Sequence, residues 1–309
     1  MKHLLTLADL TKEELYDLLD LADSLKKEVK KGVFTPYLRN KTLGMIFTKS
    51  STRTRVSFET GMAQLGGTAL YLNANDMQLG RGEPIKDTAR VLSRYLDGIM
   101  IRTYKHSDVE ELAEYGSIPI INGLTDYVHP CQVLADLQTI REHKGTLTGL
   151  KMCFIGAGNN MANSLINGGI LAGMEVACAC PLEYLPDEEI TKRAQASGRF
   201  TLTQNVLEAA KDADVLVTDV WASMGEEQEA AQRRKIFEGI YQINDACMAV
   251  AKADAMVLHC LPAHREEEIT EKVFEAHADE IFDEAENRLH AQKGGSCYTA
   301  EGLIERNGW

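Results

Sequence analysis

The alternation of apolar and polar positions divides the chain into two successive runs of strand and helix. Thr11-Lys12-Glu13-Glu14 is a capping-box pattern. Leu15, Leu18, Leu19, Ala22 and Leu25 follow it at helical spacing, which predicts an amphipathic helix over 11–30. Leu43 to Phe47 reads as a strand, and Val56, Phe58, Met62 and Leu65 mark a helix stopped by Gly66-Gly67. Ala69 to Leu72 is a strand, Asn73 to Glu83 a polar loop, and Pro84 suits the first turn of the next helix. A strand at Gly98 to Ile101 ends at Arg102; a helix from Asp108 to Tyr115 and a strand from Pro119 to Asn122 follow. Pro130 opens a helix that ends near Lys144-Gly145.

From Lys151 the pattern restarts. Strands are predicted at Lys151 to Ile155, Glu175 to Cys180, Phe200 to Thr203, Val215 to Asp219 and Met256 to His259, with a short one at Ile281-Phe282. Helices are predicted from Asn159 to Ala172, Glu188 to Ala196, Val206 to Lys211, Gln228 to Phe237 and Asn244 to Ala251. Such alternation indicates an α/β protein with two parallel sheets flanked by helices. Two sets imply two domains, 1–140 and 141–289, and the polar strand ends are expected to converge on a cleft between them.

Charge sharpens this picture. The 309 residues carry a formal net charge of −13, which argues against nucleic acid as a partner, because phosphate backbones are held by basic surface. No apolar run approaches the roughly 20 residues that span a bilayer, and no signal-peptide pattern opens the sequence, so a cytoplasmic protein without membrane contact is expected. Seven cysteines with irregular spacing and no C-x-x-C suit reduced thiols rather than a disulfide framework.

Against that acidic background, Lys49-Ser50-Ser51-Thr52-Arg53-Thr54-Arg55 stands out: three cations and four hydroxyls at a strand-to-helix turn. A helix start offers free N–H groups and a positive dipole end, a ready site for phosphate. The plainer reading is a polar cap on a solvated helix. His129-Pro130-Cys131-Gln132 stands at another helix start, where His129 is either a satisfied buried histidine or a donor to a ligand. Asp219-Val220-Trp221-Ala222-Ser223-Met224-Gly225 leaves a strand with a carboxylate able to pair with an ammonium group; a helix cap with a buried Trp is the alternative. Gly156-Ala157-Gly158 follows a strand, but Met161 breaks the dinucleotide fingerprint, and no Walker-type motif occurs, so no cofactor is expected. His259, Cys260 and His264 fall short of a convincing zinc site, with Pro262 inside the cluster, and no metal is expected.

Taken in order, Ser51-Thr52-Arg53-Thr54-Arg55, His129-Pro130-Cys131-Gln132, Asp219 with Ser223-Met224-Gly225, and His259-Cys260-Leu261-Pro262 resemble the aspartate/ornithine carbamoyltransferase family, its ornithine-using branch in particular, from about Leu5 to Lys293. The resemblance implies transfer of the carbamoyl group of carbamoyl phosphate to the δ-amine of L-ornithine, giving citrulline and phosphate, as part of arginine metabolism. It implies that Ser51, Thr52, Arg53 and Thr54 hold the phosphate. Arg102 would bridge phosphate and carbonyl oxygen, His129 and Thr54 would donate to that oxygen, and Gln132 would hold the carbamoyl amide. Arg288 resembles a further carbamoyl phosphate contact, and Gln78 a residue that reaches a neighbouring subunit's site in the family's homotrimer. Asn160, Asp219, Ser223 and Met224 match positions that bind ornithine, and Cys260 and Leu261 match the segment whose carbonyls face the reacting amine. A closing helix over 290–309 would return to the first domain, and Gly294-Gly295 predicts that it is short or frayed, since each interior Gly costs about 1 kcal/mol relative to Ala. A carbamoyltransferase for another amine such as putrescine, and an inactive carbamoyl phosphate-binding homologue, are the alternatives.

Overall fold

The computed structural model describes residues 2–222 and 229–304, with side chains described to Ala300. The chain forms two compact units, residues 1–135 with 287–309 and residues 136–286. In the first, α1 (Lys12–Lys30) begins with the Thr11/Glu14 capping box and buries Leu15, Leu18, Leu19, Ala22 and Leu25. Then follow β1 (Thr42–Phe47), α2 (Thr52–Gln64), β2 (Thr68–Asn73), α3 (Ile85–Leu92), β3 (Gly98–Arg102), α4 (His106–Tyr115) and β4 (Ile120–Leu124). These strands make a parallel sheet of order β2-β1-β3-β4. Every residue of β3 and β4 is buried, as expected of parallel strands covered on both faces, whereas the edge strand β2 is half-exposed.

Helix α5 (Pro130–Lys144) carries the chain into the second unit. There β5 (Lys151–Ile155), α6 (Asn160–Ala172), β6 (Glu175–Ala179), α7 (Glu188–Ala196), β7 (Phe200–Thr203), α8 (Val206–Ala210) and β8 (Val215–Thr218) succeed one another. Next come α9 (Ala230–Phe237), α10 (Asp245–Val250), β9 (Met256–His259) and α11 (Glu271–Ala276). The parallel sheet has order β7-β6-β5-β8-β9. Trp221, Phe237, Tyr241 and Ile243 are buried in the core on one of its faces.

Two expectations fail at the end of the chain. Ile281 and Phe282 form no strand; they lie in α12 (Ala278–Ile304), a continuous helix of 27 residues. Gly294 and Gly295 do not interrupt it. A methyl group added at Gly294 would stand 3.2 Å from the Leu18 carbonyl oxygen and 3.3 Å from Cβ of Ala22, so the glycine lets α12 lie close against α1. Packing there outweighs the helix-propensity cost of about 1 kcal/mol.

The order of each sheet decides where ligands bind. Chain direction across the sheet reverses between β1 and β3 in the first unit and between β5 and β8 in the second. In open parallel sheets the crevice beyond the carboxyl ends of strands at such a reversal is the ligand position. The segments leaving those four strands begin at Thr48, Thr103, Gly156 and Asp219. Among the described residues, no helix is long and apolar enough to cross a membrane.

Candidate active site

In the first unit, β1 and β3 lie in register with Phe47 opposite Arg102, so Lys49 to Thr54 and Arg102 leave the sheet side by side. The Thr48 N–H donates to the Arg102 carbonyl at 2.9 Å, which ties the two strand ends. Ser51 caps α2: its Oγ accepts from the Thr54 N–H at 3.2 Å. The plain capping reading is thus met by this bond. The first turn of α2 contains no acidic residue and carries Arg53. A cation beside the positive end of a helix is unfavourable by about 0.3–1 kcal/mol when unneutralised, an arrangement suited to an incoming anion.

Arg288, from α12, reaches into this turn. Its Nη1 donates to Gln132 Oε1 at 2.6 Å and its Nη2 to Thr54 Oγ1 at 3.1 Å. The charges of four cations act on His129, which is 5% exposed. Burial first, and then the charges of Arg288, Arg102, Lys49 and Arg53, hold its pKa well below 6.5. The imidazole is neutral near pH 7 and offers one N–H and one lone pair. Next to it, burial pushes the Cys131 thiol up to about 12. That thiol donates to the Asn122 carbonyl at 3.3 Å and braces the start of α5.

Gln78 stands apart from this network. It is exposed at the start of a short turn, where its carbonyl accepts from the N–H groups of Arg81 and Glu83. Arg55 is occupied elsewhere, stacked 3.9 Å above the Tyr71 ring and paired with Glu59 at 3.0 Å.

In the second unit the strand ends are again level: Ile155 pairs with Thr218, and Thr218 with His259. Asp219 therefore lies between Gly156 and Cys260. Its Oδ2 accepts from Asn159 Nδ2 at 2.9 Å, and its Oδ1 from the Val220 N–H at 2.8 Å and from Cys260 Sγ at 3.1 Å. Cys260 keeps some exposed surface, but its thiol is enclosed by protein. Burial, and then the Asp219 charge, raise its pKa well above 9. The sulfur is a protonated donor, not a thiolate. Asn159 also caps α6, its Oδ1 accepting from the Met161 and Ala162 N–H groups. Asn160 is the first residue of that helix and is 9% exposed. Gly158 permits the tight entry: a Cβ there would lie 2.0 Å from the Pro186 nitrogen.

Leu261 adopts φ +57°, a conformation that costs an L-residue about 1–2 kcal/mol. Trp221 anchors the segment after Asp219, with Nε1 donating to the Tyr241 carbonyl at 3.1 Å and its own carbonyl accepting from Arg233 at 3.0 Å. Ser223 and Met224 lie outside the described residues.

Lys49, the first cation of the turn singled out in the sequence, is buried, 5.1 Å above the Tyr104 ring and 3.5 Å from Asp126. Other participants escape the sequence motifs. Gln292 orients Arg288: with its amide turned to satisfy both neighbours, its oxygen accepts from Nη2 at 2.9 Å and Nε at 3.2 Å. Its place four residues after Arg288 on one helix face was the available signal. Asn159, which the motifs do not assign, holds Asp219. Among the described residues, His264, Glu267 and Glu268 bring potential metal ligands within 4.8 Å of one another. Glu268 is already engaged by His259 and Glu267 by Arg234, and exposed acidic groups cluster commonly without an ion.

The arrangement is a cationic, hydrogen-bonding cluster at one strand reversal and a carboxylate held by three donors at the other. Comparison with known proteins gives this geometry a context. The family model described as "Aspartate/ornithine carbamoyltransferase, carbamoyl-P binding domain" matches residues 2–142, and "Aspartate/ornithine carbamoyltransferase, Asp/Orn binding domain" matches residues 148–295. The chain is 58% identical to an ornithine carbamoyltransferase of Carboxydothermus hydrogenoformans over 294 residues, 94% of each chain. With the enzyme of that name from Caldicellulosiruptor saccharolyticus it shares 54% over 309 residues, covering 98% of this chain and 100% of the other. Among solved structures, the ornithine carbamoyltransferase of Pyrococcus furiosus superposes with a TM-score of 0.90 at 53% identity, covering 95% of each chain. The anabolic ornithine carbamoyltransferase of Campylobacter jejuni gives 0.91 at 45%, covering 98% of this chain and all of the other.

Proposed function

The chain belongs to the aspartate/ornithine carbamoyltransferase family, and we propose that it transfers the carbamoyl group of carbamoyl phosphate to the δ-amine of L-ornithine, yielding citrulline and phosphate. The observation that carries this reading is the contrast in charge between the two strand reversals. Four cations act on a neutral histidine at one, and an acceptor carboxylate stands at the other.

In this reading Ser51, Thr52, Arg53 and the start of α2 hold the phosphate. Arg102 and Arg288 neutralise it and the carbonyl oxygen, and His129 and Thr54 donate to that oxygen. The Gln132 oxygen, already placed to accept, takes the carbamoyl N–H. Asp219 accepts from the ornithine α-ammonium, with Asn160, Ser223 and Met224 as further ornithine contacts. Cys260 and Leu261 turn their carbonyls to the δ-amine.

The amine nitrogen attacks the carbonyl carbon, the C–N bond forms, and the C–O bond to phosphate breaks with its electron pair leaving on phosphate. Negative charge builds on the carbonyl oxygen; removing one donor aimed at it costs about 100- to 1000-fold in rate. Cys260, Asp219 and the departing phosphate are the candidate acceptors of the amine proton; burial and the Asp219 charge favour the protonated Cys260 thiol, which weighs toward the other two. Gln78, on its exposed loop, would serve a neighbouring copy in a homotrimer. Sedimentation of the intact protein at the mass of three chains, or of a multiple of three, supports that part, and a monomer refutes it.

The test of the reaction is citrulline formation from carbamoyl phosphate with a panel of amines. Ornithine is expected to turn over fastest. Faster carbamoylation of putrescine would replace the substrate assignment, and tight carbamoyl phosphate binding without any carbamoylated product would indicate a binding protein.

A further inference from the structure

The turn that carries Cys260 and Leu261 is held by a buried pair that the motifs do not assign. The side chains of His259 and Glu268 are fully enclosed. Nδ1 of His259 accepts from the Leu261 N–H at 2.9 Å, while Nε2 stands 2.9 Å from Oε1 of Glu268. These two contacts fix the tautomer. A ring nitrogen that accepts a hydrogen bond carries no proton, so the ring proton lies on Nε2 and points at the carboxylate. Both ends of the turn are tied to acids as well. The His259 N–H donates to Glu284 at 2.8 Å, and the His264 N–H to Glu268 at 2.6 Å. Between those anchors Leu261 keeps its left-handed φ and Cys260 keeps its thiol on Asp219.

We propose that His259 and Glu268 are positioning residues for the amine substrate. The line Glu268–His259–Leu261 N–H fixes the turn, and with it the carbonyls of Cys260 and Leu261 and the direction of the thiol. This rests on the reading of that turn as the one facing the amine. Neither side chain touches substrate. The preference of a residue like leucine to leave φ +57° is resisted by a hydrogen bond that only an unprotonated Nδ1 accepts.

The test uses the intact protein in two ways. In the first, nitrogen chemical shifts of the labelled His259 ring and hydrogen exchange at the Leu261 amide are measured without reference to activity. The proton is expected on Nε2 near neutral pH, with a protected Leu261 N–H. A proton on Nδ1, or rapid exchange at that amide, overturns the proposal even if the enzyme is fully active.

In the second, kcat and KM are measured for each substrate in His259→Leu, which offers no acceptor, and His259→Asn, whose amide oxygen takes the place of Nδ1. His259→Leu is expected to lower kcat/KM for ornithine about 100-fold, the order expected for a small misplacement of reacting groups, with carbamoyl phosphate affinity within about twofold. His259→Asn is expected to recover about tenfold of that loss. Unchanged ornithine kinetics in His259→Leu, or equal losses for both substrates with no recovery in His259→Asn, overturn the proposal. Absence of citrulline formation by the unaltered protein counts against the proposed reaction instead, and the ring and amide measurements then decide the positioning role.

Discussion

The two strand reversals are built from the same parts and end with opposite charge. At β1/β3 a capped helix start receives Arg53, Arg102, Arg288 and Lys49 around His129. At β5/β8 another capped helix start receives Asp219, whose oxygens accept from Asn159, Val220 and Cys260 and keep acceptor capacity. The backbone supplies a crevice in both cases; side-chain charge decides the guest. In the proposed reaction the first charge suits an acyl phosphate and the second an ammonium group. The catalytic economy follows, because electrostatics and proximity act on two separately held reactants.

The sharpest way to break this contrast is to remove charge on one side. Arg53→Ala is expected to lower kcat/KM about 100- to 1000-fold. Because Arg53 is exposed, its melting temperature should stay near that of the unaltered protein, which a thermal scan checks alongside the citrulline assay. Asp219→Asn comes next. It is expected to lower kcat/KM for ornithine about 100-fold, the scale of a lost charge partner, and to leave carbamoyl phosphate binding intact. Initial rates at varied ornithine would show it.

Packing effects are smaller. Gly294→Leu forces a side chain against Leu18 and Ala22 of α1, and should destabilise the fold by about 1–3 kcal/mol in denaturant titration. The smallest effect is on pH dependence. The folded pKa of His129 lies below its unfolded value, so on acidification the unfolded state takes up the proton first. Stability contributed by neutral His129 is complete above about pH 6.5 and falls as pH drops below it toward the folded value. His129→Asn is expected to flatten that part of the stability profile, measured by unfolding at a series of pH values.

The two halves also differ in how far they were legible. The cationic half announces itself, since Lys49, Arg53 and Arg55 in an acidic chain are conspicuous whatever the fold. Even so, Arg55 belongs to Tyr71 and Glu59, and the only sign of Gln292 is its helical spacing from Arg288, which many surface glutamines share. The carboxylate half depends on contacts distant in sequence. Asp219 meets Asn159 across 60 positions and Cys260 across 41, and only the strand order brings them level.

His259 and Glu268 lie nine residues apart across a turn that has no period to read. Strands such as Ile99 to Ile101 and Met152 to Ile155 were visible because both faces are covered and the run is wholly apolar. Ile281-Phe282 misled because two apolar residues fit a strand and a helix equally. Gly294-Gly295 misled because propensity is local and the contact with α1 is not.

In the proposed reaction each reversal holds one substrate. Calorimetric titration of carbamoyl phosphate into the unaltered protein, Arg53→Ala and Asp219→Asn tests that division. Binding should be lost or greatly weakened in Arg53→Ala and unchanged in Asp219→Asn. Equal weakening in both variants, or full-strength binding to Arg53→Ala, would contradict it.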